Sequence, residues 1–178
     1  YSFYSIHRAF PRSGPSNGRG GDIVVSGEGF RADTNPSCML NGTQWEPLSV
    51  NATAIRCPMP PAVDGDSFFG NVDFAVTANG ITWNNFDGGF QYYEQPVVED
   101  IDPKQGPSTG VGIINFYGEG FRADYPLAAL GCKVGEAVGR AYYVSPRQVK
   151  CVVEDIPLLA EDEEPLPAQV SLNSHSFT

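Results

Sequence analysis

Histidine, tryptophan and methionine are each present only twice in the 178 residues. His7 and His175 lie at the two extremes, so no Ser/His/Asp arrangement is readable. No apolar run is long enough to cross a bilayer. No long stretch holds a helical period, and the nearest, "YPLAALGCKVGEAV", is interrupted by Gly131 and Gly135. Basic residues are also few: 11 against 21 acidic, a net charge of -10. Divided near residue 95, the halves carry -4 and -6, and neither has a basic patch. Binding to nucleic-acid phosphates is therefore disfavoured. With no initiator Met and no visible signal peptide, the sequence reads as a mature or truncated piece.

What the chain does have is 20 Gly, 15 Pro and 41% hydrophobic residues, spread along its length. Short apolar runs broken by Gly, Pro, Asn and Asp predict many strands and turns. The chain also repeats itself. "GEGFRAD" occurs at 27–33 and again at 118–124. A Pro-x-x-Gly-Pro turn comes first in each copy, at Pro11–Pro15 and Pro103–Pro107, followed by the alternating runs "DIVVSG" and "GIINFYG". In Gly-Glu-Gly-Phe the paired glycines suit a bulge or tight turn, and Phe30 and Phe121 should enter the cores. The first copy closes with "VDFAVTANG", a strand of period two ending in an Asn-Gly turn, and then "FQYYEQP". Offsets of 91 to 94 residues give a period of about ninety and hence two domains. Seven or so short strands per copy, with a cross-linked core, predict immunoglobulin-like β-sandwiches.

Cys38 and Cys57 are 19 apart, as are Cys132 and Cys151. Four cysteines permit three connectivities, and the repeat symmetry selects Cys38–Cys57 and Cys132–Cys151. A zinc site is the competing reading, but it wants CxxC spacing and nearby histidines. Disulfides stabilise small domains by about 2–4 kcal/mol each and imply an oxidising, extracellular or cell-surface setting. No metal site and no cofactor are expected.

The order Pro-x-x-Gly-Pro, strand, Gly-x-Gly-Phe, Cys, Cys-x-x-Pro ("CPMP" at 57–60) and a final aromatic strand resembles the IPT/TIG family of immunoglobulin-like domains. The resemblance covers essentially the whole chain, twice. It departs at "CVVEDIP", where the Pro falls late, and at the missing closing strand of the second copy. Family members occur in plexin-type receptors, in large surface proteins and in Rel-type transcription factors. Disulfides and acidity favour the extracellular group, and the resemblance implies no enzymatic activity.

The second copy ends with "AQVSLNSHS", which matches "VDFAVTANG" at an offset of 96, so Val170 and Leu172 fall where Phe74 and Val76 fall. It has no counterpart of "FQYY", whereas the chain opens on "YSFY". The expectation is an all-β fold of two tandem IPT/TIG-like sandwiches, the second lacking its final strand in cis. Residues 1–8 are a donor strand or leader, 9–95 the first sandwich and 96–178 the second. Tyr1, Phe3 and Tyr4 donate a strand to a groove lined by Val170 and Leu172 of a neighbouring copy. Burying one such aromatic stabilises by about 1.5–3 kcal/mol. Head-to-tail contacts of this kind build a linear extracellular fibre with copies of the chain as partners. The alternative is a fragment of a large covalent IPT/TIG-repeat receptor or adhesin that binds a protein or glycan.

Other residues carry less. Asn41 and Asn51 head N-x-Thr sequons, candidate sites for N-linked glycans. Trp45 and Trp83 read as core or strand-edge aromatics before a sugar platform, and Tyr92 and Tyr93 as one inward and one outward residue. Glu161–Glu164 is a solvated acidic loop, with a weak calcium site as the sharper reading. Asp64 and Asp66 resemble a turn more than an acid/base pair.

Overall fold

The computed structural model describes residues 3–62, 69–106, 111–122, 130–154 and 165–178. The protein is all-β, with two tandem immunoglobulin-like units: unit 1 is Tyr1–Glu94 and unit 2 is Gln95–Thr178.

Unit 1 contains β1 (Ser5–Phe10), β2 (Ser13–Pro15), β3 (Asp22–Glu28), β4 (Ser37–Leu40), β5 (Thr43–Trp45), β6 (Ser49–Val50), β7 (Ala54–Pro58), β8 (Gly70–Val72), β9 (Phe74–Thr77), β10 (Trp83–Asn85) and β11 (Phe90–Tyr93). One sheet has the order β1-β3-β7-β6. Facing it are β10-β9-β4-β5 and β2-β11-β8, which join where β8 runs into β9 across Asp73. The Cys38–Cys57 disulfide ties β4 to β7 and so bridges the layers. Ile23, Val25, Phe30, Ile55, Phe74 and Phe90 fill the space between, each at most 4% exposed.

The glycines of Gly-Glu-Gly-Phe have different tasks. Gly27 lies under β1, where a Cβ would strike the Ser5 carbonyl oxygen and the Phe30 ring, and Gly118 lies likewise under Val97. Gly29 and Gly120 have φ of 74° and 80°, the left-handed turn that only the second glycine supplies.

Unit 2 contains β12 (Val97–Asp102), β13 (Gly112–Glu119), β14 (Gly131–Val134), β15 (Ala137–Ser145), β16 (Gln148–Val153) and β17 (Ala168–Ser171). These form one ladder, β12-β13-β16-β15-β14-β17. In unit 1, Pro47 separates β5 from β6, since proline cannot donate to a ladder. In unit 2 the matching text has no proline, and β15 runs unbroken for nine residues. Cys132 of β14 and Cys151 of β16 are separated in the ladder by β15, yet they form a disulfide with Cα atoms 5.9 Å apart. The ladder therefore folds over itself at β15, closing a core of Phe116, Phe121, Val149, Val153 and Val170.

The structure corrects one boundary and one offset. Ser5–Arg8 are not a leader: they begin β1, which pairs with β3 of unit 1 (Ser5 opposite Glu28, Ala9 opposite Val25). The second-copy offset at the last strand is 94, not 96. Val170 lies opposite Cys132 as Val76 lies opposite Cys38, so Leu172 matches Ala78.

Candidate functional site: the place of a closing strand

In unit 1 the Pro-x-x-Gly-Pro turn is roofed by β11. Gln91 and Tyr92 run parallel to Ser13 and Gly14. The Gln91 N–H donates to the Arg12 carbonyl (2.9 Å) and the Ser16 N–H to the Tyr93 carbonyl (2.8 Å). Arg12 donates from Nε to the Gly89 carbonyl at 2.8 Å, and from its terminal nitrogen to the carbonyls of Asp87 and Gly89. Its guanidinium also lies 5.3 Å from the Phe86 ring centre. Charge-assisted bonds of this type stabilise by about 1.5–3 kcal/mol each when shielded. Burial lowers the Arg12 pKa, opposed by Asp87. Phe90 and Tyr92 point into the core with rings 5.1 Å apart, edge to face. The Tyr92 hydroxyl donates to the Pro60 carbonyl at 2.7 Å, and burial pushes its pKa up to about 12. Tyr93, next along the strand, lies outside that core cluster but is buried too, so the outward tyrosine of the pair is covered rather than exposed to solvent.

The same turn in unit 2 is bare. Pro11, Ser13 and Gly14 are buried, whereas Pro103, Gln105 and Gly106 are exposed. Lys104 replaces Arg12 and pairs instead with Asp100 at 2.9 Å. Among the described residues of unit 2, no strand occupies the place of β11. The opposite wall is Leu166, at the position of Val72, partly buried against the unit 2 core.

The hairpin after β17 is built as the one after β9. Asn79 Oδ1 accepts the N–H groups of Ile81 and Thr82, and Asn173 Oδ1 accepts those of His175 and Ser176. The Thr178 N–H then donates to the Val170 carbonyl (3.0 Å), so Thr178 starts along β17 as β10 runs along β9.

The residues singled out from sequence are placed as follows. Cys38–Cys57 and Cys132–Cys151 are disulfides, and no described cysteine is free. Phe3 is 82% exposed. Tyr4 is half-buried against the unit 1 core, 6.4 Å from the Phe30 ring, with its hydroxyl towards the Thr82 carbonyl. Tyr1 lies outside the described residues, as do Asp64, Asp66 and Glu161–Glu164. Val170 and Leu172 are 0% and 1% exposed, which corrects their assignment as the lining of an open groove; the bare surface is at Gln105 and Gly106. Asn41 is exposed at the tip of the β4–β5 hairpin with φ 48°. Asn51 is exposed too, its Oδ1 accepting the N–H groups of Thr53 and Ala54. Trp45 and Trp83 sit on the two opposite edge strands of one sheet, which separates them and removes a shared platform. Among the described residues, no group of three or more His, Cys, Asp or Glu could hold a metal ion, and no helix is long and apolar enough to cross a membrane. Sequence reading missed Arg12 and the side-chain role of Asn173 in its turn. The signal for the last was available in the matched Thr-Ala-Asn and Ser-Leu-Asn.

The IPT/TIG domain family matches residues 5–92 and again 96–178. The chain belongs to this family. No curated protein sequence matches it significantly. Among solved structures, the IPT/TIG pair is similar to the full extracellular region of Plexin A4 (domains 1 to 10). The TM-score is 0.56 and the identity 17%, over 98% of this chain and 15% of that one. A second Plexin A4 extracellular structure (domains 1 to 8) gives 0.47 and 18%, over 99% and 17%. The chain thus spans about one-sixth of the plexin chains it matches, and at this identity the first likeness shows the fold.

Proposed function

We propose that this IPT/TIG pair is a segment of a larger extracellular repeat protein, a receptor or adhesin, that presents binding surfaces and performs no catalysis. The disulfides, the acidic charge and the fold shared with a plexin extracellular region support this reading. The observation that carries it is the turn at Pro103–Gly106, exposed where its twin is covered by β11. Unit 2 takes a closing strand with aromatic residues at alternate positions, supplied by a covalent continuation of the array. N-linked glycans on Asn41 and Asn51 would coat unit 1 and leave unit 2, which has no such sequon, bare.

One observation favours a second reading. Tyr1-Ser2-Phe3-Tyr4 repeats the aromatic–polar–aromatic–aromatic order of Phe90-Gln91-Tyr92-Tyr93, and Phe3 is 82% exposed. In that reading the strand comes from a second copy, and head-to-tail donation builds a fibre.

A denaturing gel of native material, probed with an antibody to these residues, tests the proposal. A very large species supports the covalent array. A band near 19.2 kDa, plus any glycan, from particles that are long before denaturation supports donation. A band of that size from a stable native monomer contradicts both.

A further inference from the structure

Asn-Gly occurs three times, at Asn17-Gly18, Asn41-Gly42 and Asn79-Gly80, all in unit 1. In each, glycine leaves the backbone nitrogen unshielded by a side chain, and a five-membered ring would join that nitrogen to the asparagine Cγ. The fold treats the three differently. Asn17 Oδ1 accepts the Arg19 N–H at 3.0 Å, and the Gly18 N–H donates to the Pro15 carbonyl at 3.1 Å. Asn79 Oδ1 accepts the N–H groups of Ile81 and Thr82 at 3.0 and 2.8 Å, and the Thr77 hydroxyl at 3.1 Å. These turns fix both carboxamides in place. Their glycines are also crowded: a Cβ on Gly18 would strike the Pro61 nitrogen, and one on Gly80 would come within 3.1 Å of the Asn35 carbonyl. At the tip of the β4–β5 hairpin nothing of the kind holds. The Asn41 N–H donates to the Asp73 carbonyl at 2.9 Å, but among the described residues neither the Asn41 carboxamide nor the Gly42 N–H has a hydrogen-bond partner. Both residues are exposed, and a Cβ on Gly42 would meet nothing within 4 Å.

We propose that Asn41 is a site of spontaneous backbone modification in copies that carry no glycan there. The Gly42 nitrogen, deprotonated by hydroxide, attacks Asn41 Cγ. The N–Cγ bond forms, the Cγ–Nδ2 bond breaks, and Nδ2 takes a proton from water and leaves as ammonia. Water then opens the cyclic imide at either carbonyl, giving aspartate or isoaspartate. The sum is one water consumed and one ammonia released. The product adds a negative charge to a chain already at -10. The isoaspartyl form also adds a methylene to the backbone of a two-residue loop, whose length sets the pairing of Leu40 with Thr43 and of Cys38 with Trp45. β4 is held on its other side by β9 and by the Cys38–Cys57 disulfide, whereas the edge strand β5 pairs with β4 alone, so the loosening falls on β5. A glycan on Nδ2 would replace ammonia by a far bulkier leaving group, so the two modifications compete for one side chain. The reaction does not depend on how unit 2 is closed.

The unglycosylated 178-residue chain should be aged at mildly alkaline pH, both folded and in urea, and mapped by peptide mass spectrometry. The expected result in the folded chain is a gain of one mass unit at Asn41, shared between aspartyl and isoaspartyl forms, at least tenfold faster than at Asn17 or Asn79. The rate should rise with pH, as hydroxide-driven attack requires. In urea the three sites should react within a few-fold of one another, since the fold and not the dipeptide separates them. Asn41→Gln should remove the gain at that position, because glutamine would have to close a six-membered ring. Asn17 or Asn79 reacting as fast as Asn41 in the folded chain would overturn the proposal. So would a gain at Asn41 that ignores pH, or one at least tenfold slower in the folded chain than in urea, which would make the hairpin a shield.

Discussion

Gly14 and Gly106 occupy the same place in twin turns, and only the first is covered. A Cβ on Gly14 would collide with the Met59 thioether and come within 3.0 Å of the Phe90 ring; one on Gly106 would meet nothing within 4 Å. Gly14→Ala should therefore overpack unit 1 and destabilise it by about 1–3 kcal/mol. Gly106→Ala should change unit 2 by less than about 0.5 kcal/mol in the isolated chain. Trp45 and Trp83 both lie in unit 1, so tryptophan fluorescence follows the first loss alone. Hydrogen exchange follows unit 2.

Asn79→Ala and Asn173→Ala should act as a matched pair. Each removes one carboxamide oxygen that accepts two backbone N–H groups. Water can reach part of each turn, so the expected cost is about 1 kcal/mol in the unit concerned. Urea midpoints for the two units should shift separately. A shift of both units in either variant would contradict the assignment.

The disulfides should stabilise the units one by one. Replacing Cys38 and Cys57 together by serine should destabilise unit 1 by about 2–4 kcal/mol and leave unit 2 unchanged. The Cys132/Cys151 pair should give the mirror result. Exchange-protected fragments resolved by mass spectrometry would show which unit has opened.

Tyr92 predicts a loss of stability in alkali. Its phenol is an acid whose pKa is raised by burial to about 12, from 10 in the unfolded chain. Between those values the unfolded state ionises first. The stabilisation is complete below pH 10 and is lost as pH rises towards 12. The thermal midpoint of unit 1 should fall across that window, and Tyr92→Phe should flatten the fall while losing the bond to Pro60. A fall of the same depth in the variant would assign the effect elsewhere.

Repeats, paired cysteines and the Gly-x-Gly-Phe motif made the fold legible, because each leaves a local mark in the text. β1 did not. A bulge between Ile6 and Arg8 puts its inward residues, Ile6 and Ala9, three apart and hides the period of two. β12 has the same bulge, with Val98 and Ile101 facing inwards. Without that alternation, "YSFY" could be read as a detached strand, although Tyr4 packs on unit 1. The candidate site was half legible. The lack of a second "FQYY" pointed to unit 2, but its rim depends on pairing register, which sequence offsets misjudged by two residues. Arg12 escaped notice because its clamp on Asp87 and Gly89 joins positions more than seventy residues apart.

The central claim is that unit 2 accepts an aromatic closing strand beside Lys104–Gly106. Hydrogen exchange of the 178-residue chain, with and without a synthetic peptide of residues 88–95, tests it most directly. The account predicts at least tenfold slower exchange across residues 104–108 with the peptide, and no effect when serine replaces its Phe90 and Tyr92. Unchanged exchange at millimolar peptide, or equal protection by the serine peptide, would contradict it.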